Sequence, residues 1–281
     1  MISTHRPTGV DTSTPLNAVT YLAPGIPSEF FEFVTEHIAR ALNREVKLSI
    51  ESRISGPMHG DEDPFSCGKA DLGFVCSPSY LFLKSRPKPS IVLVPAGFVF
   101  EDARNEGRPV YFSDVIVRRD HRAKSFDELR GGLWGYNDEC SLSGYFSTLQ
   151  ELAERGMNRE FFDDWIRTGS HGSSIEGVLN GRIDGAAIDS IALAAMQGGR
   201  AEMMDTLRVV DSFGPYPTQP VVLRAALQET LLGPLTEALL SLSMTPPDIR
   251  RPAGFERCVP IEDADFDEEH QALMQLPSFR R

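Results

Sequence analysis

The sequence predicts an α/β fold in two lobes, and three observations lead there. Short apolar, β-branched runs alternate with helix-period stretches through most of the chain. A length of 281 residues exceeds what one small core organises. Apolar extended runs also fall near 111 and before 213, where the chain can leave one lobe and return to it. A lobe inserted in this way leaves two crossing strands as a hinge.

Taken in order, residues 1–16 are polar and rich in Ser and Thr, and are expected to be a disordered lead-in. A strand follows over Asn17–Leu22, then a turn at Pro24 and Gly25. Phe31, Val34, Ile38 and Leu42 recur three to four apart, giving a helix over Ser28–Asn43 one apolar face. Val46, Leu48 and Ile50 alternate as in a strand, and Asp71–Val75 is a second strand that enters a polar loop, Cys76–Tyr80. A further strand covers Ile91–Phe100 and ends in the Gly-Pro loop Asn105–Pro109. Val110–Val117 is long enough to pass between lobes.

Ser125 and Glu128 have capping-box spacing, and Gly131-Gly132 ends that helix before a strand at Leu133–Tyr136. The loop Asn137–Gly144 leads into a helix over Tyr145–Arg155. Asn158 is expected to cap a helix through Ile166, and Ser173 with Glu176 to open another through Leu179. Ala186–Asp189 is a short buried strand before a helix at Ser190–Gln197. Leu207–Ser212 is a strand whose Gly-Pro exit, Phe213–Pro220, returns the chain to the first lobe. Helical stretches at Arg224–Leu232 and Pro234–Ser243 precede the tail. The expected division is therefore 17–110 with 213–281 as lobe 1, and 111–212 as an inserted lobe 2.

Forty acidic residues against 28 basic ones give a net charge of −12, without the basic cluster that a nucleic-acid partner requires. An anion is not excluded, because backbone N–H groups and hydroxyls at a helix start bind one without net positive charge. Cys67, Cys76, Cys140 and Cys258 lack metal or redox spacing and are expected to be buried free thiols, so no metal or cofactor is predicted. No apolar run is long enough to span a bilayer, which excludes direct membrane insertion. The N-terminal residues lack a basic segment followed by an apolar one, so the chain as written carries no export signal and would be cytoplasmic.

The chemistry concentrates at Ser141-Leu142-Ser143-Gly144, between a strand and a helix. Hydroxyls and unpaired N–H groups meet there, and the helix dipole favours negative charge, so the segment can cradle an oxyanion. The same serines can equally be a plain helix cap. His171 in Thr168–Ser174 again precedes a helix start and can donate to an anion, or can be a loop histidine without a ligand. Asp189 ends a buried strand, where α/β sheets face their ligand crevice; it can meet a protonated ligand oxygen, orient His171, or cap the helix at Ser190.

From Val110 to Ala195 the chain resembles the phosphate/phosphite/phosphonate-binding family of ABC-transporter substrate-binding proteins. The resemblance rests on Tyr111 in its apolar run, Phe126–Gly131, Ser141–Tyr145, Gly169-Ser-His171 and Ile175–Ser190, in matching order and spacing. It extends more weakly to Gly68–Phe74 and Arg257–Ile261. The family implies a two-lobed type 2 periplasmic-binding-protein clamshell, an extracytoplasmic location and an ABC permease as partner. It further implies that Ser141, Ser143, His171 and Tyr111 contact the anion, that Asp189 lies close by, and that Tyr80 or Ser77 in the 76–79 loop faces them from lobe 1.

The chain departs from the family at Leu142, where a hydroxyl is usual, and at Ile54–His59, which offers no match to a first-lobe tyrosine. Ile191 and Gln219 stand where aminoalkylphosphonate binders carry carboxylates, so an ammonium group would be left unpaired. The expected function is capture of a small oxyanion between two lobes for an ABC transporter. A cytoplasmic small-molecule sensor, or a diverged binding protein with a different ligand, is a second possibility. A Ser/His enzyme is a third, although the G-x-S-x-G elbow is absent.

Overall fold

A computed structural model describes residues 14–22, 25–197, 205–250 and 253–280. Pro24 of the expected turn, and the expected lead-in before residue 14, lie outside these residues. Leu16 does not belong to the lead-in, because it is buried and begins strand β1 (Leu16–Thr20), which stops two residues short of Leu22.

Two five-stranded sheets form the two lobes. The first contains β1, β2 (Val46–Ile50), β3 (Leu72–Phe74), β4 (Ile91–Leu93) and β11 (Val221–Arg224), in the order β2-β1-β3-β11-β4. β1 is parallel to both of its neighbours, and β11 is antiparallel to β3 and β4. The second contains β6 (Val110–Arg118), β7 (Leu133–Tyr136), β8 (Asp164–Arg167), β9 (Gly185–Asp189) and β10 (Leu207–Pro217), in the order β10-β6-β9-β7-β8. A two-stranded sheet pairs β5 (Gly97–Phe100) with β12 (Phe255–Val259).

Helix α1 (Ser28–Leu42) buries Phe30, Phe31, Val34 and Ile38, the face its periodicity predicts. Phe30 meets Phe98 at 4.9 Å and Phe255 at 5.7 Å, both edge to face, which joins α1 to the small sheet. Each such ring contributes roughly 1.5–3 kcal/mol of apolar burial. The second lobe has its own aromatic core, in which Trp134 stacks on Phe162 at 4.6 Å.

Several elements differ from expectation. Cys76–Tyr80 is not a loop: Ser77–Lys84 form helix α2, started by Pro78, whose fixed φ suits a first turn. The run Ile91–Phe100 splits at Pro95 into β4 and β5, which enter different sheets. Ser125 and Glu128 form no capping box; Ser125 precedes a 3₁₀ turn, Phe126–Leu129, that contains Glu128, whose carboxylate accepts from Lys124 N–H at 3.0 Å. Asn158 caps only the 3₁₀ turn Arg159–Phe161, because Trp165 and Ile166 are used in β8 against β7. β10 continues through the expected Gly-Pro exit to Pro217, since register shifts between Phe213 and Tyr216 let Gly214 and Pro215 bulge out of the ladder. Pro234 lies inside a single helix, Gln228–Ser241, instead of separating two. Cys76, Cys140 and Cys258 are buried free thiols, whereas Cys67 is exposed.

β6 and β10 run side by side where the chain changes sheets, with Tyr216 opposite Tyr111 and Pro217 opposite Val110. The chain re-enters the first sheet at Val221, so Thr218, Gln219 and Pro220 form the second crossing. Among the described residues no helix is long and apolar enough to cross a membrane.

Candidate functional site

Between the lobes lies a cavity of about 40 Å³. That space suffices for a few water-sized groups and for a small polar head. Of the residues predicted for the site, Ser141, Ser143, His171 and Asp189 line it.

The second-lobe wall is built from helix starts. After β7 the chain reaches Ser141 in extended conformation, at the cap of a π-turn, Leu142–Phe146, that leads into helix α3 (Ser147–Glu154). The Ser141 hydroxyl oxygen accepts from Gly144 N–H at 3.1 Å, which leaves its own proton free to donate. Gly144 is needed here, because a Cβ atom would lie 1.8 Å from Asn137 Oδ1. The Ser143 carbonyl accepts from the Ser113 and Ser147 hydroxyls at 2.7 and 2.8 Å, which fixes the turn from behind.

His171 is the first residue of helix α4 (His171–Leu179), not a loop residue ahead of it. The cap is Ser170, whose hydroxyl accepts from Ser173 N–H at 3.0 Å, so the expected capping box at Ser173 and Glu176 begins too late. His171 Nε2 and the Ser143 hydroxyl are 3.3 Å apart, and Nδ1 has no partner among the described residues. Burial pushes the imidazole down to about 4, so it is neutral at pH 7.

Asp189 ends β9 and caps helix α5 (Ser190–Gln197), its Oδ1 accepting from Ile191 and Ala192 N–H at 2.8 and 3.3 Å. Its Oδ2 accepts from Gln219 Nε2 at 2.6 Å. Burial outweighs these three donors and pushes the carboxyl up to about 7.

The first-lobe wall carries no comparable motif. Tyr21, Leu22, Gly25 and Ile26 come from the β1–α1 connection, and Ile54 and Ser55 from the segment after β2. Ser55 also joins the lobes: its N–H and hydroxyl donate to Asp138 at 3.2 and 2.7 Å. Asp138 accepts as well from Cys140 N–H at 2.9 Å, and burial raises its pKa. A second bridge runs from Leu142 N–H to Cys76 Sγ at 3.3 Å.

Four predicted residues do not reach the cavity. Tyr80 is buried on α2, where its hydroxyl donates to Asp263 and its ring packs edge to face on Phe266 at 5.1 Å. Ser77, at the first turn of α2, lies beside the buried Glu269 carboxyl without closing a hydrogen bond. Tyr111 is fully buried on the hinge strand β6, its hydroxyl without a partner. The Leu142 side chain is fully buried in the core, so only its N–H serves the interface. Tyr80, Ser77 and Tyr111 are held in the regular elements α2 and β6, whereas Leu142 lies in the π-turn and gives its side chain to the core.

Sequence reasoning missed Asp138, Ser55, Asn137 and Tyr21. Asp138 and Asn137 stand in the loop that was singled out for its serines, and Ser55 becomes legible only once the lobes are paired.

The model of the ABC transporter phosphonate periplasmic substrate-binding protein family matches residues 28–266. A binding-protein component of an ABC phosphonate transporter from Pseudomonas aeruginosa superposes with a TM-score of 0.78 at 16% identity, covering 93% of this chain and 86% of that one. PhnD1 of Prochlorococcus marinus, in complex with methylphosphonate, gives 0.77 at 15% identity, covering 94% and 98%. A Xanthomonas citri protein bound to chloride gives 0.70 at 16%, covering 93% and 98%. At these identities the superpositions establish the fold, a type 2 periplasmic-binding-protein clamshell.

Proposed function

Since the chain belongs to the family of ABC transporter phosphonate periplasmic substrate-binding proteins, we propose that it closes its two lobes, 16–109 with 218–280 and 110–217, over a small phosphonate-like oxyanion. It then presents the closed form to an ABC permease. The observation that carries this reading is the convergence of Ser141, Ser143 and His171 on one wall of a cavity whose opposite wall belongs to the other lobe. The Ser141 proton and a ring N–H of His171 supply donors where the α4 dipole also favours an anion. Closure follows from ligand affinity for the closed form, with Ser55 and Asp138 already placed to bridge the lobes.

A Ser/His hydrolase fits the same residues less well. His171 Nδ1 has no carboxylate to orient the ring, and a serine–histidine nucleophile depends on that third group.

The test is a thermal-shift screen of the whole chain against millimolar phosphate, phosphite, methylphosphonate, methanesulfonate and sulfate. A ligand at a hundred times its Kd adds about 2.7 kcal/mol of stability, so at least one phosphorus oxyanion is expected to raise Tm by several degrees. No shift with any of them, from a cooperatively folded protein, would refute the reading.

A further inference from the structure

The cavity is unusual for an anion site in what faces it. Among the described residues that line it none is Lys or Arg, and the ionisable ones are Tyr21, Cys76, Asp138, His171 and Asp189. Building the complex with a doubly charged oxyanion against two carboxylates and a neutral imidazole would bring like charges together in a poorly solvated space. A proton between ligand and carboxyl removes that conflict and adds a hydrogen bond.

Resting on the oxyanion reading above, we propose that the site binds its ligand together with one proton, held between a ligand oxygen and the Asp189 carboxyl. Its ligand class is then acid oxyanions of the R–PO₃H⁻ type, not fully deprotonated dianions. Asp189 is the group placed for this. Its Oδ1 is committed to two backbone N–H donors, whereas Oδ2 receives only Gln219, and the residue lines the same cavity as Ser143 and His171. Asp138 is less available, since Ser55, Cys140 and Asn137 already donate to it.

The surroundings of Asp189 favour the protonated form. Asp114 on β6 raises its pKa further, with its own charge paired to Arg104 at 2.7 Å. Tyr111 on β6 and Cys76 ahead of α2 are buried, and desolvation keeps both in their neutral forms. With the free carboxyl titrating at about 7, the empty site is largely ionised at pH 8, and ligand binding must then draw a proton from solvent. If the ligand brings the proton as R–PO₃H⁻, the count is the same, because the free ligand is then the dianion that has to be protonated.

The test is calorimetric titration of the whole chain with methylphosphonate at pH 8, in two phosphate-free buffers of different ionisation enthalpy. The wild type is expected to take up between half a proton and one proton per ligand bound, and to lose affinity up to tenfold between pH 8 and 9. Asp189→Asn keeps a good helix cap, and Gln219 can turn its amide oxygen toward it, so the fold is retained. That variant is expected to take up less than half as much and to show a correspondingly flatter pH profile. A merely structural Asp189 would leave the proton count unchanged. Buffer-independent heats in the wild type, or equal uptake in both proteins, would overturn the inference. No binding by the wild type would instead remove the oxyanion reading, and this inference with it.

Discussion

The two walls of the cleft are built by different means. The second-lobe wall comes from consecutive residues at helix starts: Ser141 and Ser143 at one, Ser170 and His171 at the next, Asp189 at a third. Local backbone geometry sets each of these side chains. The first-lobe wall is assembled from three separate segments carrying Tyr21, Leu22 and Ile26, then Ile54 and Ser55, then Cys76. Its surface is apolar apart from a few polar groups, and only packing places it. On the proposed reading, the polar wall would fix the head of a ligand and the less specialised one would exclude water and bridge the lobes, placing specificity in lobe 2 and closure in lobe 1.

The largest expected effect lies in the polar wall. Gly144→Ala puts a methyl group 1.8 Å from Asn137 Oδ1, which forces the turn or the Asn137 loop to move. Overpacking of this kind costs about 1–3 kcal/mol. Thermal unfolding is expected to show a Tm lower by several degrees, and titration a loss of binding; a variant with wild-type Tm and affinity would mean that this turn does not define the site.

A smaller effect is expected where the walls meet. Ser55→Ala removes the hydroxyl donated to Asp138 but keeps the N–H bond, so closure weakens by about 1–2 kcal/mol, or roughly 5- to 30-fold in ligand affinity. Dissociation rates should carry most of that change. Unaltered affinity would show that this bridge does not contribute to closure.

The smallest effect is expected behind the first wall. Tyr80→Phe loses the hydrogen bond to Asp263, neither residue lining the cavity, and should lower stability by about 1 kcal/mol with ligand affinity unchanged. A tenfold loss of affinity would return Tyr80 to the site.

The same contrast explains what the sequence made legible. Ser141, Ser143, His171 and Asp189 were recognisable because a cap is encoded within a few residues of the group it positions. Helix α1 was legible for a similar reason, through the spacing of Phe31, Val34 and Ile38. Tyr80, Ser77 and Tyr111 could not be placed this way, because whether a side chain faces the cleft depends on the phase of α2 and β6 against other elements. Gly214 and Pro215 signal a turn that would end β10 at Ser212, and only pairing with β6 shows that they are a bulge. Ser55 and Asp138 are 83 positions apart, a separation that no local pattern spans.

The most direct test of the account is to repeat the anion titration on Ser141→Ala combined with His171→Ala. The account predicts that the double variant, still folded, binds the wild-type protein's preferred oxyanion at least a hundredfold more weakly. Unchanged affinity would contradict it, and would place the ligand somewhere other than against the wall formed by Ser141, Ser143 and His171.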